Sequence, residues 1–214
     1  MDTGFTSRSF EPSARVAGRK PRWYLRSADE ASARSRSRPS EAPELHQTGS
    51  GFTLTLSAAV AKGIEEQVLA AIWEFDSREI ETGGYLYGHD PPDEDGIWVC
   101  FASGPGHNGK HASGQVQLSD PSEIESAFHA SLVRQDLIRL GDWHSHPAPD
   151  PLPSDADLWA WARHSDAAGV LPYAGLIVTP GEIGWMTPEF HGWVTREDDH
   201  GVLVCEPAPI EESW

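Results

Sequence analysis

The chain has 214 residues, 38% of them hydrophobic, and carries a formal net charge of −17. An acidic chain repels phosphate groups, so the charge argues against nucleic acid as a partner. No run approaches the ~18 consecutive apolar residues that a membrane-spanning helix requires, so no membrane partner is expected.

The first fifty residues differ in composition from the rest of the chain. Residues 1–50 carry nine Lys or Arg and six Asp or Glu, a net charge of +3, which leaves −20 for residues 51–214. The segment is rich in Ser, Arg, Pro and Ala, and it buries too little apolar surface to offset the entropy lost on ordering. We therefore predict a disordered basic tail over residues 1–49 and a folded domain over residues 50–214.

The two cysteines, Cys100 and Cys205, lie far apart and form no CxxC pair. Such sparse thiols fit a reducing compartment. No apolar segment follows the N-terminal arginines as a secretory signal would require, so we expect a cytoplasmic location.

Hydrophobic spacing and cap residues predict alternating helices and strands, and therefore an α/β domain. In chain order, the predicted elements are a helix from Ser57 to about Phe75, strands at 82–88 and 96–102, a loop at 104–114, a short strand at 116–118, a helix from 120 to about 135, a strand at 137–144, a loop at 147–153, a helix from Ser154 to near Ser165, a strand at 173–178, two paired strands at 185–190 and 192–195, and a last strand at 202–205.

One segment concentrates residue types that bind metals. His144 and His146 stand at the end of a predicted strand, Pro147 opens the loop that follows, and Asp157 stands in the first turn of the next helix. Two imidazoles and one carboxylate fill three positions of a tetrahedral zinc site and leave the fourth open, which is typical of a catalytic site. Water at the open position becomes acidic enough to attack a carbonyl near neutral pH.

Ser154 is predicted to cap the helix that carries Asp157, in a capping box with Asp in place of the usual Glu. The pair His144 and His146 alone is a weak signal and is compatible with two surface histidines. The added Ser and Asp at fixed spacing make the pattern far more specific. Capping and metal binding are compatible, because a cap can orient the residue that serves the metal.

These residues resemble the JAMM motif of the JAB/MPN-plus zinc metallopeptidases: a Glu, then H-x-H-P, then a Ser separated from the second His by seven residues, then x-x-Asp. The chain has His144-Ser145-His146-Pro147 and Ser154-Asp155-Ala156-Asp157 at that spacing. Upstream, Glu81-Thr82-Gly83-Gly84 matches the family's Glu-x-x-Gly stretch and places Glu81 in the catalytic position, with Glu79 as the competing choice. The resemblance covers about residues 55–205 and points to the compact prokaryotic branch.

The resemblance implies a single mixed β-sheet flanked by helices, with a cytidine-deaminase-like architecture. It implies one Zn²⁺ per chain, held by His144, His146 and Asp157. Glu81 would take a proton from the attacking water and pass it to the leaving amine, and Ser154 would hydrogen-bond near the developing oxyanion.

The implied substrate is a ubiquitin-like protein, cut at the peptide or isopeptide bond after its C-terminal Gly-Gly. One alternative is trimming of a sulfur-carrier protein precursor, and another is a non-catalytic MPN-type scaffold that binds partners. The oligomeric state is left open by the sequence.

Other enzymes with an H-x-H pair fit the chain less well. Amidohydrolase-type barrels need more residues and further histidines at strand ends. Metallo-β-lactamase-like enzymes need H-x-H-x-D-H, and zinc deaminases need H-x-E with a later P-C-x-x-C, neither of which is present.

Two neighbours of the motif are open to more than one interpretation. Asp142 either supports a ligand histidine or is a plain solvated acid, and we favour the second. Trp159 and Trp161 lie on one helix and cannot both face the core.

Overall fold

The computed structural model describes residues 44–45, 51–89, 96–106, 109–112, 115–118, 120–168 and 172–213. The elements within these residues are β1 (Glu44–Leu45), β2 (Thr53–Ser57), α1 (Ala58–Phe75), β3 (Gly83–His89), β4 (Gly96–Ala102), β5 (Lys110–Ala112), β6 (Gln115–Gln117), α2 (Asp120–Val133), β7 (Ile138–Ser145), α3 (Asp155–Ala168), β8 (Tyr173–Gly181), β9 (Gly184–Glu197), β10 (Leu203–Ala208) and β11 (Ile210–Ser213).

Nine of these strands form one mixed sheet in the order β1-β10-β9-β8-β7-β3-β4-β2-β11. The central strand β7 pairs parallel with β8 and antiparallel with β3. The predicted α/β class with a mixed sheet is therefore confirmed. The prediction of a single sheet needs one correction, because β5 and β6 form a separate two-stranded sheet.

The large sheet is curled. Strands β10 and β11 are separated only by Pro209, yet β10 pairs with β9 and β11 pairs with β2 near the opposite end of the sheet. Since one residue bridges the two strands, the ends of the sheet must lie close together. The Leu54 N–H closes this junction by donating to the Pro209 carbonyl at 2.9 Å.

Helix α1 packs on the inner face of the curl. The Ser57 hydroxyl accepts from the Val60 N–H at 3.2 Å and so caps the first turn, and Asp76 ends the helix in a left-handed conformation at φ 46°. Val60, Ile64 and Val68 join a cluster of buried side chains from most strands of the sheet. Each such side chain contributes about 1.5–3 kcal/mol when fully buried.

Helices α2 and α3 cover the outer face. Because strand side chains alternate between faces, Tyr85 and Tyr87 pack with α2 while Leu86 joins the inner cluster. On α3, Trp161 is 1% exposed and Trp159 is half-buried, as the sequence required. None of the helices in the described ranges has the length and apolarity needed to cross a membrane.

The late strands differ from the prediction. The segments 185–190 and 192–195 are parts of one continuous strand, β9, rather than a pair. Gly192 suggested a break, but its role is close approach: a Cβ there would meet the Ala208 carbonyl oxygen at 2.6 Å, where β10 runs alongside β9. Glycine is therefore required by a neighbouring strand and not by a turn.

Four short elements were not predicted: β1, β2, β5 and β11, the last of which follows the final predicted strand. Strand β2 precedes the predicted helix, and β5 lies inside the predicted loop. Strand β1 lies inside the segment predicted to be disordered, where Glu44 and Leu45 pair in parallel with Val204 and Cys205. The two residues of β1 and the three of β5 carry no recognisable periodicity. Strand β2 does alternate, with Leu54 and Leu56 buried, and the prediction missed that pattern. Apart from β1, the predicted tail lies outside the described residues.

We expect truncation to distinguish β1 from the residues before it. Removing residues 1–42 should leave the melting temperature within about 2 °C, because that composition offers no core to lose. Removing residues 1–49 should lower it by a further ~2–4 °C, since the edge pairing of β1 is lost at a cost of about 1 kcal/mol. Thermal unfolding measures both, and a collapse of the first variant would disprove the tail prediction.

Candidate metal centre

The end of β7 places two histidines on one side of the sheet. His144 stands between Gly83 of β3 and Ile177 of β8, and the His146 N–H donates to the Val178 carbonyl at 2.8 Å just beyond the strand. Residues i and i+2 of an extended chain share a face. The two imidazoles therefore point the same way, with their Nε2 atoms 3.0 Å apart.

Asp157, from the first turn of α3, completes the group. Its Oδ1 lies 3.2 Å from His144 Nε2 and its Oδ2 lies 3.6 Å from His146 Nε2. Ligands at about 2.0–2.1 Å from a tetrahedral zinc ion are about 3.3–3.4 Å apart. The three separations bracket that value, so these residues, which are the ones predicted, could hold an ion of the size of zinc.

The loop after β7 fixes the ring of His146. Its Nδ1 lies 2.9 Å from the Asp150 carbonyl oxygen, which can only accept a hydrogen bond. In the neutral ring, Nδ1 therefore carries the hydrogen and Nε2 presents a lone pair to the centre. The Asp150 carboxylate accepts from the Leu152 N–H at 3.0 Å, and the Trp193 indole donates to the Pro151 carbonyl at 3.1 Å.

Ser154 orients Asp157. Both the backbone N–H and the hydroxyl of Ser154 donate to Asp157 Oδ2 at 2.7 Å, and the Asp157 N–H reaches the Ser154 hydroxyl oxygen at 3.3 Å. The predicted capping box is therefore present. It leaves Asp157 Oδ1 directed at His144, so the cap and the ligand group share one carboxylate.

The charges of the centre reinforce one another. Burial alone raises the pKa of Asp157, but hydrogen bonds from His144 and His146 hold it far below its usual range. Burial lowers the pKa of His146, but the Asp157 carboxylate and the Asp150 carbonyl outweigh this and raise it. Without a metal ion, the carboxylate and the imidazoles thus satisfy one another.

Glu81 lies beside the histidines in the segment that enters β3. Thr82 anchors that segment to β7: the Thr82 N–H donates to the Ser145 hydroxyl at 3.0 Å, and the Ser145 N–H donates to the Thr82 carbonyl at 2.8 Å. Gly83 permits the contact, since a Cβ there would meet the Trp143 carbonyl oxygen at 2.4 Å. Burial raises the pKa of Glu81, opposed by the charges of His144 and His146.

Glu79 fits the catalytic position less well. It is exposed in the turn before β3, where its N–H donates to the Ser77 hydroxyl at 3.2 Å. Glu81 is half-buried, and the charges of both histidines and of Asp157 influence its pKa. Of the two glutamates, Glu81 therefore lies in the better position to act at the centre.

Asp142 is not a solvated acid, so our preferred interpretation was wrong. It is 6% exposed and accepts hydrogen bonds from Trp161 Nε1 at 2.7 Å, His164 Nδ1 at 2.9 Å and the Tyr173 hydroxyl at 2.8 Å. Burial raises its pKa, but the bonds from His164 and Tyr173 bring it below the usual value. The bonds run to α3 and β8, and the sequence gave no signal for them because the donors are 19 to 31 residues away.

A further histidine near the centre is not among the residues that the sequence predicted for the site. His191 lies within β9, with its Nε2 3.0 Å from the Thr179 hydroxyl. Burial, together with the charge of His146, lowers its pKa. His191 also lines an open cavity of about 450 Å³ with Pro151, Phe190 and Trp193. Its position follows from the pairing of β9 with β8, which sequence alone did not fix.

Comparison with known proteins agrees with this geometry. The model of the family described as prokaryotic homologs of the JAB domain matches residues 65–204. Among solved structures, the solution structure of protein DSY2949 from Desulfitobacterium hafniense is similar at a TM-score of 0.51 and 20% identity, over 75% of this chain and 93% of that one. A search of curated proteins finds no match.

The family match spans well over half of the chain and includes every residue of the centre. The protein therefore belongs to the prokaryotic homologs of the JAB domain, as its motif predicted. The likeness to the Desulfitobacterium protein shows a common fold.

The charge coupling within the centre predicts the titration of His146. In the metal-free protein, Asp157→Asn should lower the pKa of His146, because a neutral amide no longer stabilises the imidazolium. An NMR titration of the imidazole protons measures the change. Asp155→Asn, which alters an exposed acid in the same helical turn, should leave the pKa in place. An unchanged pKa in Asp157→Asn would contradict the coupling.

Proposed function

We propose that the protein is a zinc-dependent isopeptidase or peptidase that hydrolyses the bond after the C-terminal Gly-Gly of a ubiquitin-like protein. The observation that carries the proposal is the convergence of His144, His146 and Asp157 at separations that suit tetrahedral zinc, with Glu81 beside them. Three ligands with a fourth position left for water or substrate are typical of catalytic rather than structural zinc.

Zinc bound here would supply Lewis-acid chemistry, lowering the pKa of water and polarising the carbonyl to be attacked. His144 and His146 would donate lone pairs, and Asp157 would donate one carboxylate oxygen. The carboxylate of Glu81 would accept a proton from the attacking water at one oxygen and deliver it to the leaving amine. Its raised pKa moves Glu81 towards the range in which a carboxyl group exchanges protons near neutral pH.

Ser154 has a second role only if its hydroxyl can be released. At present the hydroxyl donates to Asp157 Oδ2 at 2.7 Å, so its hydrogen is in use. An ion held by Asp157 would draw negative charge from that carboxylate and would weaken the hydrogen bond. The hydroxyl would then be available to the oxyanion that develops on the substrate carbonyl.

Access to the centre and the charge of the domain support the proposed substrate class. The side chains of His144 and His146 are only 7% and 14% exposed, so a scissile bond must approach closely. The two glycines at the C-terminus of the proposed substrate allow such an approach, because they carry no Cβ. The charge of −20 on residues 51–214 favours a partner with a basic face.

Two other functions compete with this proposal. The same centre could trim a sulfur-carrier precursor, in which the bond after Gly-Gly is an ordinary peptide bond rather than an isopeptide bond. A non-catalytic scaffold is the third candidate. The complete ligand set speaks against it, because a scaffold has no need to maintain two histidines and an aspartate at these separations.

Metal analysis tests the centre directly. We expect about one zinc ion per chain in the purified protein, because three suitable ligands converge, and His146→Ala should lose most of it. The control is His200→Ala, which alters an exposed histidine in a distant turn. Full zinc retention by a variant with both His144 and His146 changed to Ala would disprove the assignment.

Turnover tests the role of Glu81. Glu81→Gln should keep its zinc but cleave at least about 100-fold more slowly, because an amide can hold water but cannot take its proton. The assay follows release of a C-terminal extension from a ubiquitin-like protein ending in Gly-Gly. Glu79→Gln is the matched control and should remain active. Reversed behaviour of the two variants would mean that Glu79 is the catalytic residue.

The same assay separates the three functions. An isopeptide-linked substrate cut faster than a linear extension favours deconjugation, and the reverse order favours precursor trimming. A wild-type protein that binds both substrates with zinc in place but cuts neither would be a scaffold.

A further inference from the structure

Two polar side-chain contacts join β7 to α3, one beside the other. Asp142 and His144 share a face of β7, since they are two residues apart. Asp157 and Trp161 share a face of α3, since they are four residues apart. His144 meets Asp157 at 3.2 Å, and Asp142 accepts from Trp161 Nε1 at 2.7 Å.

We propose that Asp142 is a positioning residue of the metal centre, which sets where α3 lies along β7 and so fixes the distance between His144 and Asp157. Asp142 does not contact a ligand histidine in this arrangement and acts through the helix. The proposal takes zinc as the ion and in that respect rests on the proposed function.

The bonds of Asp142 are suited to this task. Two of its three donors, Trp161 and His164, lie on α3 and are three residues apart, so both hold the same face of the helix. The carboxylate is buried, and hydrogen bonds to a buried charge are short and strong. A helix held at two points one turn apart can neither slide along β7 nor rotate freely.

Trp161 connects the hydrogen bonds of Asp142 to the metal ligands, because its ring packs beside His144. Its ring is 1% exposed, and its centroid lies 6.2 Å from that of the His144 ring. The indole N–H points at Asp142, so the hydrogen bond fixes the plane of the ring. A displaced Trp161 would therefore disturb both His144 directly and Asp157 one helical turn away.

The third bond of Asp142 provides a matched control. The Tyr173 hydroxyl donates to Asp142 at 2.8 Å and accepts from Arg139 at 2.9 Å, and Arg139 pairs with Glu123 of α2 at 2.7 Å. The hydrogen bonds of this branch run to β8 and α2, and only the ring of Tyr173 packs against α3. Tyr173→Phe thus removes one bond to Asp142 and leaves both bonds to α3 in place.

The experiment compares Asp142→Asn, Trp161→Phe and Tyr173→Phe in the full chain. Zinc dissociation constants are measured by competition with a chelator, and thermal unfolding of the metal-free protein is measured alongside. Asp142→Asn and Trp161→Phe should weaken zinc binding about 10- to 100-fold, as loss of a supporting bond around a metal ligand does. Tyr173→Phe should lower the melting temperature but change zinc affinity by less than about 3-fold, since both bonds to α3 remain.

Spectroscopy separates positioning from general destabilisation. Cobalt bound in place of zinc should show a changed d–d absorption in Asp142→Asn and an unchanged one in Tyr173→Phe. In the metal-free protein, the ring-proton resonances of His144 should move in Asp142→Asn and in Trp161→Phe but not in Tyr173→Phe, because only the first two variants change the ring that packs beside His144. Should Asp142→Asn fail to fold, His164→Ala removes one bond to α3 at a site that is more than one-third exposed, and it should show the same changes to a lesser degree.

The outcomes are distinct for the two proposals. Zinc affinity that falls equally in all variants, in step with melting temperature, would overturn the positioning role and leave the proposed function intact. A wild-type protein without histidine-dependent zinc binding would overturn the proposed function. The positioning role would then be decided by the His144 resonances, and it is overturned if they do not move in Asp142→Asn.

Discussion

The structure depends on one contact, between the end of β7 and the first turn of α3. There the Asp157 carboxylate lies between two imidazole nitrogens, at 3.2 and 3.6 Å. Charged groups in a half-buried site are costly unless they are paired. These groups come from different elements, so they stay paired only while the helix and the strand keep their relative position. The surrounding hydrogen bonds maintain that position.

Hydrogen bonds from neighbouring residues position the side chains of the centre. Asp150 fixes the ring of His146 through its carbonyl, and Ser154 fixes the carboxylate of Asp157 through the helix cap. The two-way exchange between Thr82 and Ser145 brings Glu81 to the same place. Preorganisation of this kind matters in catalysis, because groups already in position need not be reorganised when charge develops in the transition state.

Family membership and chemistry are separate conclusions. The match to prokaryotic homologs of the JAB domain and the common fold with the Desulfitobacterium protein define the architecture. A fold hosts more than one function, so the activity has to be argued from the site. Here the argument comes from the ligand separations, from the side-chain access to His144 and His146, and from the half-buried Glu81.

The sequence by itself predicted the α/β class, the capping box at Ser154, and the metal-ligand types at His144, His146 and Asp157, because these depend on local spacing and on residue chemistry. Glu81 was predicted only through the resemblance to the JAMM motif. The sequence also predicted most helices and strands, whose periodicity extends over many residues. Only the tertiary structure decided the curl of the sheet, the short strands β1, β5 and β11, and the continuity of β9 through Gly192. The same holds for Asp142, whose donors Trp161 and Tyr173 are distant in sequence. Such features arise from contacts between elements, and a local pattern of residues carries no record of which elements will meet.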